Sequence, residues 1–126
     1  MPYDLYDFID ERERNIIEEW RNGLTQRSKG QLDAKVNMLA TAGMELPPKL
    51  LAGPIKKTGH IYKLIIHADV MLRPMFCRGP FSMETEFTFL VGAKEIQGVL
   101  TPDPSVAVTH REILIKTPKR RVPHAF

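Results

Sequence analysis

Several kinds of chemistry are missing from this sequence. One cysteine, Cys77, in 126 residues excludes an intramolecular disulfide framework, a Cys-rich zinc site and an iron–sulfur cluster built from this chain. No apolar run reaches the roughly 18 residues of a membrane span. Neither GxGxxG nor the Walker pattern occurs, so no Gly-rich loop cradles a nucleotide phosphate. There is no GxSxG nucleophile elbow. The four histidines, His60, His67, His110 and His124, show no HExxH spacing and have no suitably placed Cys or Asp, so no metal site is expected. The opening segment, MPYDLYDFIDERER, is acidic where a secretion signal would be basic and then apolar. These absences point to a cytoplasmic protein without cofactor, metal or membrane contact.

What is present fits one average domain. Apolar residues make up 43% and charged residues 26%, as in ordinary globular chains. No repeat or linker divides residues 1–126. Charge is uneven: residues 1–20 carry seven acids and two bases, while net charge over the whole chain is +3. From about residue 116 the tail is basic, with Lys116, Lys119, Arg120 and Arg121 and no acid among them. Such a run either binds phosphates or is a solvated, frayed end.

Two helical patterns open the chain. Ile9, Ile16, Ile17, Trp20 and Leu24 form one apolar stripe. Asp10 followed by Glu13 resembles a capping box, which starts this helix early. Leu32, Val36, Leu39 and Ala40 form a second stripe, with Thr25 or Ser28 as N-cap and Gly43 as C′ residue. The short connection implies an antiparallel helical hairpin. The period then changes. Residues 61–67, 71–77 and 84–91 read as three strands joined by short links, with Phe87, Phe89 and Val91 on one face of the third. Pro74 marks an edge or bulge in the second. Residues 105–116 could continue as a strand, but their spacing fits better a last helix opened by Asp103–Pro104. The sum is an α+β fold: a helical hairpin packed on a small, mainly antiparallel sheet, with a C-terminal helix.

Arg73 stands alone in an apolar strand, so it faces solvent, pairs with an acid or lines a site. Lys63 on the preceding strand, Lys94 after the third, and Arg78 near the second turn are placed to converge with it on the sheet's open face. A concave basic face suits a phosphodiester backbone. Cys77 alternates with apolar neighbours and reads as a buried, inert thiol rather than a nucleophile.

With these residues in hand, the chain resembles the RelE/HigB superfamily of type II toxins, in its phage-derived branch. Gly59-His60-Ile61-Tyr62-Lys63-Leu64 is similar to that family's first long strand, Leu72-Arg73-Pro74-Met75-Phe76 to its second, and Leu90-Val91-Gly92-Ala93-Lys94-Glu95 to the end of its third. The likeness spans roughly residues 10–116. It departs at Ile65, where the family carries a second lysine, and in having no tyrosine after Tyr62. The resemblance implies a RelE-like fold and a metal-independent endoribonuclease that cleaves mRNA, usually on the ribosome, and is inhibited by a cognate antitoxin. A small helix-turn-helix protein would suit that role. It implies that Arg73, Lys94 and Lys63 stabilise the scissile phosphate, while His60 or His67 exchanges protons. Lys56, Lys57, Arg78, Arg111, Lys119, Arg120 and Arg121 are the candidate RNA contacts. Two other readings fit the residues: a non-enzymatic nucleic-acid or ribosome-binding protein, and a structural or interaction protein of a phage particle.

Overall fold

The computed structural model describes residues 2–125, and its first element is a strand, β1 (Asp4–Phe8). The helix expected from Asp10 onward starts later. Asp10 closes a turn instead: Oδ1 accepts from the backbone N–H groups of Arg12 and Arg14, each at 2.9 Å, and Oδ2 from Arg14 Nε at 2.7 Å. Glu13 has φ 62°, which an α-helix cannot accommodate. Helix α1 (Ile16–Asn22) begins after Asn15, whose side-chain oxygen accepts from the N–H groups of Ile17 and Glu18. Thr25, one of the two N-caps the sequence offers, caps α2 (Gln26–Ala42) by accepting from Ser28 N–H. Gly43, at φ 60°, ends it and opens a single 3-10 turn, Gly43–Glu45. Arg21 on α1 makes a forked pair with Asp33 on α2, at 2.6 and 2.9 Å.

The remaining chain forms β2 (Leu51–Ala52), β3 (Tyr62–Leu64), β4 (Ile66–His67), β5 (Met71–Leu72), β6 (Met75–Arg78), β7 (Glu86–Val91), β8 (Lys94–Ile96), β9 (Val99–Thr101), α3 (Pro104–Lys116) and β10 (Arg121–Pro123). The architecture is α+β, with three helices and two largely antiparallel sheets among the described residues. The larger sheet has the order β10-β1-β7-β6-β3-β2, and only β1–β7 is parallel. The smaller has the order β4-β5-β8-β9.

Two of the strands read from sequence are each divided between these sheets. Residues 61–67 split into β3 and β4, and residues 71–77 into β5 and β6. The second split has a clear cause. Pro74 has no N–H and cannot continue the ladder, while the Arg73 N–H turns to Ala93 O at 2.8 Å. The third run survives as β7, but it is buried on both faces. Phe87 and Phe89 pack with Ile17, Leu32, Val36 and Leu39 of the first two helices. On the opposite face, Leu90 packs with Phe8, Met75, Cys77 and the α3 residues Ala107 and Leu114. The sheet therefore has no broad open face, because α3 covers what the alternation left available. That helix forms as expected, with Asp103 accepting from Ser105 N–H and Pro104 in its first turn. The tail is ordered rather than frayed through the described residues: β10 pairs antiparallel with β1.

Gly92, buried just after β7, lies against the indole of Trp20, and a Cβ there would overlap the ring. Gly30, in mid-α2, has nothing within 4 Å of a Cβ position. Gly92→Ala is therefore expected to destabilise by about 2–3 kcal/mol through overpacking, and Gly30→Ala to stabilise by up to about 1 kcal/mol through helix propensity. Urea unfolding of the two variants checks both signs.

Candidate functional site

The bend between β5 and β6 carries Arg73 and brings it together with charges from β3 and β8. Arg73, only 5% exposed, directs Nη1 to Leu72 O at 2.9 Å and to Ile66 O at 3.5 Å. Its Nη2 lies 3.5 Å from Glu95 Oε2, and Lys63 Nζ lies 3.8 Å from Glu95 Oε1. Lys63 and Arg73 thus converge, as their spacing predicts. They do so on a carboxylate that the sequence reading did not single out, at the seam of two sheets and not on an open face. The carboxylate is thus flanked by two cations, of which Lys63 is the less buried.

The other residues expected at the site are placed differently. Lys94 adjoins Glu95 on β8, where strand alternation puts successive side chains on opposite faces. His60 is exposed before β3, and His67 is exposed at the end of β4. Neither joins the Lys63–Glu95–Arg73 ion pairs.

The expected RNA contacts fall into separate groups. Lys56 and Lys57 are exposed in the segment between β2 and β3. Arg78 Nε donates to Met83 O at 3.3 Å. Arg121 pairs with Glu86 and donates to Thr88 Oγ1 at 3.2 Å. Its guanidinium lies 3.7 Å from the Tyr6 ring centroid and 4.8 Å from that of exposed Phe81. Arg120 Nε donates to Ile9 O at 3.0 Å, 5.2 Å from the Phe8 centroid. Two members of the basic tail are therefore bound into the fold, whereas Lys116 and Lys119 remain exposed. Arg111, on α3, interacts with the Cys77 thiol.

A second buried polar group lay outside the sequence reading. Asp7 is fully buried on β1. Its Oδ1 is 2.8 Å from His124 Nδ1, and its Oδ2 accepts from Asn15 Nδ2 at 3.0 Å. An acid beside Phe8 in an alternating strand was the available signal. Its partner, however, lies at the far end of the chain. Among the described residues no group of three or more His, Cys, Asp or Glu side chains is arranged to hold a metal ion, and no helix is long and apolar enough to cross a membrane. No protein-family model, curated protein or solved structure matches the chain.

Cys77 is fully buried. Burial pushes its thiol up to about 11, against the opposing pull of Arg111 and Arg121. The thiol is neutral in both folded and unfolded chains below the ordinary thiol range. As pH climbs from that range towards 11, only the unfolded chain ionises, so this residue's contribution to stability is lost on the alkaline side. Native protein is accordingly expected to resist a thiol-specific disulfide reagent at pH 8 and to react at once when unfolded in urea, as absorbance at the reagent's product band would report.

Proposed function

We propose that the protein is a metal-independent endoribonuclease of RelE/HigB type, the toxin of a type II toxin–antitoxin pair, cutting mRNA on the ribosome and so inhibiting translation. The observation that carries this reading is the convergence of Lys63, Glu95 and Arg73 at the sheet seam. The order of elements also supports it: over the stretch that the sequence likeness spans, two helices are followed by antiparallel strands and a last helix. In the RelE-like arrangement α1 and α2 are the helical hairpin, and β1 extends the sheet. The setting is cytoplasmic.

The chemistry needs a base for the ribose 2′-OH, positive charge at the pentacoordinate phosphate and a proton for the leaving 5′-oxygen. Glu95 takes the 2′-OH proton. The 2′-oxygen bonds to phosphorus, the bond to the 5′-oxygen breaks, and a 2′,3′-cyclic phosphate remains. Lys63 neutralises the phosphate, and Lys63 or a water returns a proton to the leaving oxygen. Arg73, held by two carbonyls and Glu95, acts through the carboxylate as a positioning residue. Lys94, His60 and His67 flank the path of the strand, and exposed Lys56, Lys57 and Lys119 hold its backbone. An antitoxin covers this surface with an acidic segment, as an inserted helix or an added strand.

A second reading has an observation in its favour. Arg73 is sequestered and neither histidine reaches the ion pairs, which leaves proton transfer to Glu95 and Lys63 alone. A non-enzymatic ribosome or RNA binder would keep the basic surface without turnover. Primer extension on a defined mRNA, incubated with ribosomes and purified protein, separates the two. The nuclease gives discrete cuts, which Glu95→Gln and Lys63→Ala reduce by roughly a hundredfold or more, while both variants still sediment with ribosomes. Intact mRNA with retained sedimentation favours the binder. Intact mRNA with no sedimentation favours an interaction protein.

A further inference from the structure

A groove on the opposite flank of the molecule uses none of those three residues. It lies between the Asp10–Arg14 turn and α3, has a volume of about 420 Å³, and is lined by Asp10, Arg12, Arg14, His110 and Arg120 together with Glu11 and the Phe8 ring. His110 is fixed in it. Its Nδ1 is 2.7 Å from Leu90 O, and a carbonyl only accepts, so Nδ1 carries the proton. The ring stacks on Phe8 with centroids 4.3 Å apart and planes 11° apart. With Nδ1 directed to the sheet backbone, Nε2 lies on the ring's far side, towards the groove, and in the neutral ring it is a bare acceptor.

Arg120 is fixed in the same way. Its Nε is committed to Ile9 O and its guanidinium lies over Phe8, so its two Nη groups form the presented fork. The acids of the groove do not cancel this. Asp10 accepts from Arg14 Nε and from two backbone N–H groups, forming a neutral pair with Arg14. Glu11 and Arg12 are both exposed and balance each other, so Arg120 supplies the surplus charge.

We propose that this groove binds a phosphate monoester or free phosphate. The chemistry is complementary on both sides. A singly protonated phosphate donates its O–H to His110 Nε2, while its charged oxygens accept from the Arg120 fork. A carboxylate at neutral pH has no proton to give, and neither has the phosphodiester of an RNA backbone, so both leave Nε2 unsatisfied. The site is separate from the Lys63–Glu95–Arg73 cluster and does not rest on the nuclease reading.

The test is a titration of the full chain followed by the imidazole nitrogen resonances of His110. Four probes are compared at matched ionic strength: inorganic phosphate, uridine 5′-phosphate, acetate, and a short oligouridylate without terminal phosphate. Inorganic phosphate is expected to shift the resonances saturably in the low-millimolar range or below. A matching response to uridine 5′-phosphate assigns the site to esters, whereas a response to inorganic phosphate alone assigns it to the free ion. His110→Asn keeps a donor where Nδ1 stands and removes Nε2. Arg120→Lys keeps the charge and removes the fork. Each should weaken binding by about tenfold or more, while a change at exposed Lys49, Lys49→Ala, leaves binding as in wild type. The proposal is overturned if no phosphate saturates the shift, if acetate or the unphosphorylated oligomer shifts His110 equally, or if both groove variants bind undiminished.

Discussion

The guanidinium of Arg73 ties the carbonyls of two strands to a carboxylate on a third. Its carbonyl partners belong to β5 and to β4, and Glu95 belongs to β8. Leaving that charge buried without partners would cost several kcal/mol. The chain therefore has to bring Leu72 O, Ile66 O and Glu95, all of the smaller sheet, to the point where it crosses into the larger one. Pro74 makes the arrangement possible by stopping the ladder where Arg73 turns inward. Met75 then resumes the larger sheet beside Lys63, which carries that lysine to the same carboxylate. Packing and the candidate site thus share a single origin.

The parts of the fold that were legible in the sequence rest on local chemistry. The start of α3 is fixed by Asp103 and Pro104, and the limits of α2 by Thr25 and Gly43. Alternation identified β7 and the face shared by Phe87 and Phe89. The failures came where identical local signals have two outcomes. Asp10 followed by Glu13 can cap a helix or close a turn, and the positive φ of Glu13 shows which occurred. β1 was not read as a strand, because the acids of the opening segment carry no strand signal. Asp7 is matched by His124, 117 residues away, and no window of sequence displays such a pairing.

The site was legible to a similar depth. Lys63 and Arg73 were identifiable because charge is conspicuous in apolar strands, and they do converge. Glu95 was overlooked because it stands beside Lys94 in a run that reads as solvated. The basic tail illustrates the opposite error. Four cations in six residues read as one surface, yet a strand sends neighbours to opposite sides. Arg120 goes to Ile9 and Phe8, while Arg121 goes to Glu86, Thr88 and Tyr6. Much of the positive charge thus serves the fold, and less of it is exposed to RNA than composition implies.

The candidate site depends on the coupling between Arg73 and Glu95. A double-mutant cycle measures it directly, with Arg73→Met, Glu95→Gln and the double variant compared by urea unfolding. Glu95 keeps 27% exposure and the separation is 3.5 Å, so solvent screening limits the coupling to about 1 kcal/mol. A coupling of that size, with Arg73→Met the more damaging single change, is the predicted result. Additivity within about 0.3 kcal/mol would contradict it, because Glu95 would then be held beside Lys63 without the help of Arg73.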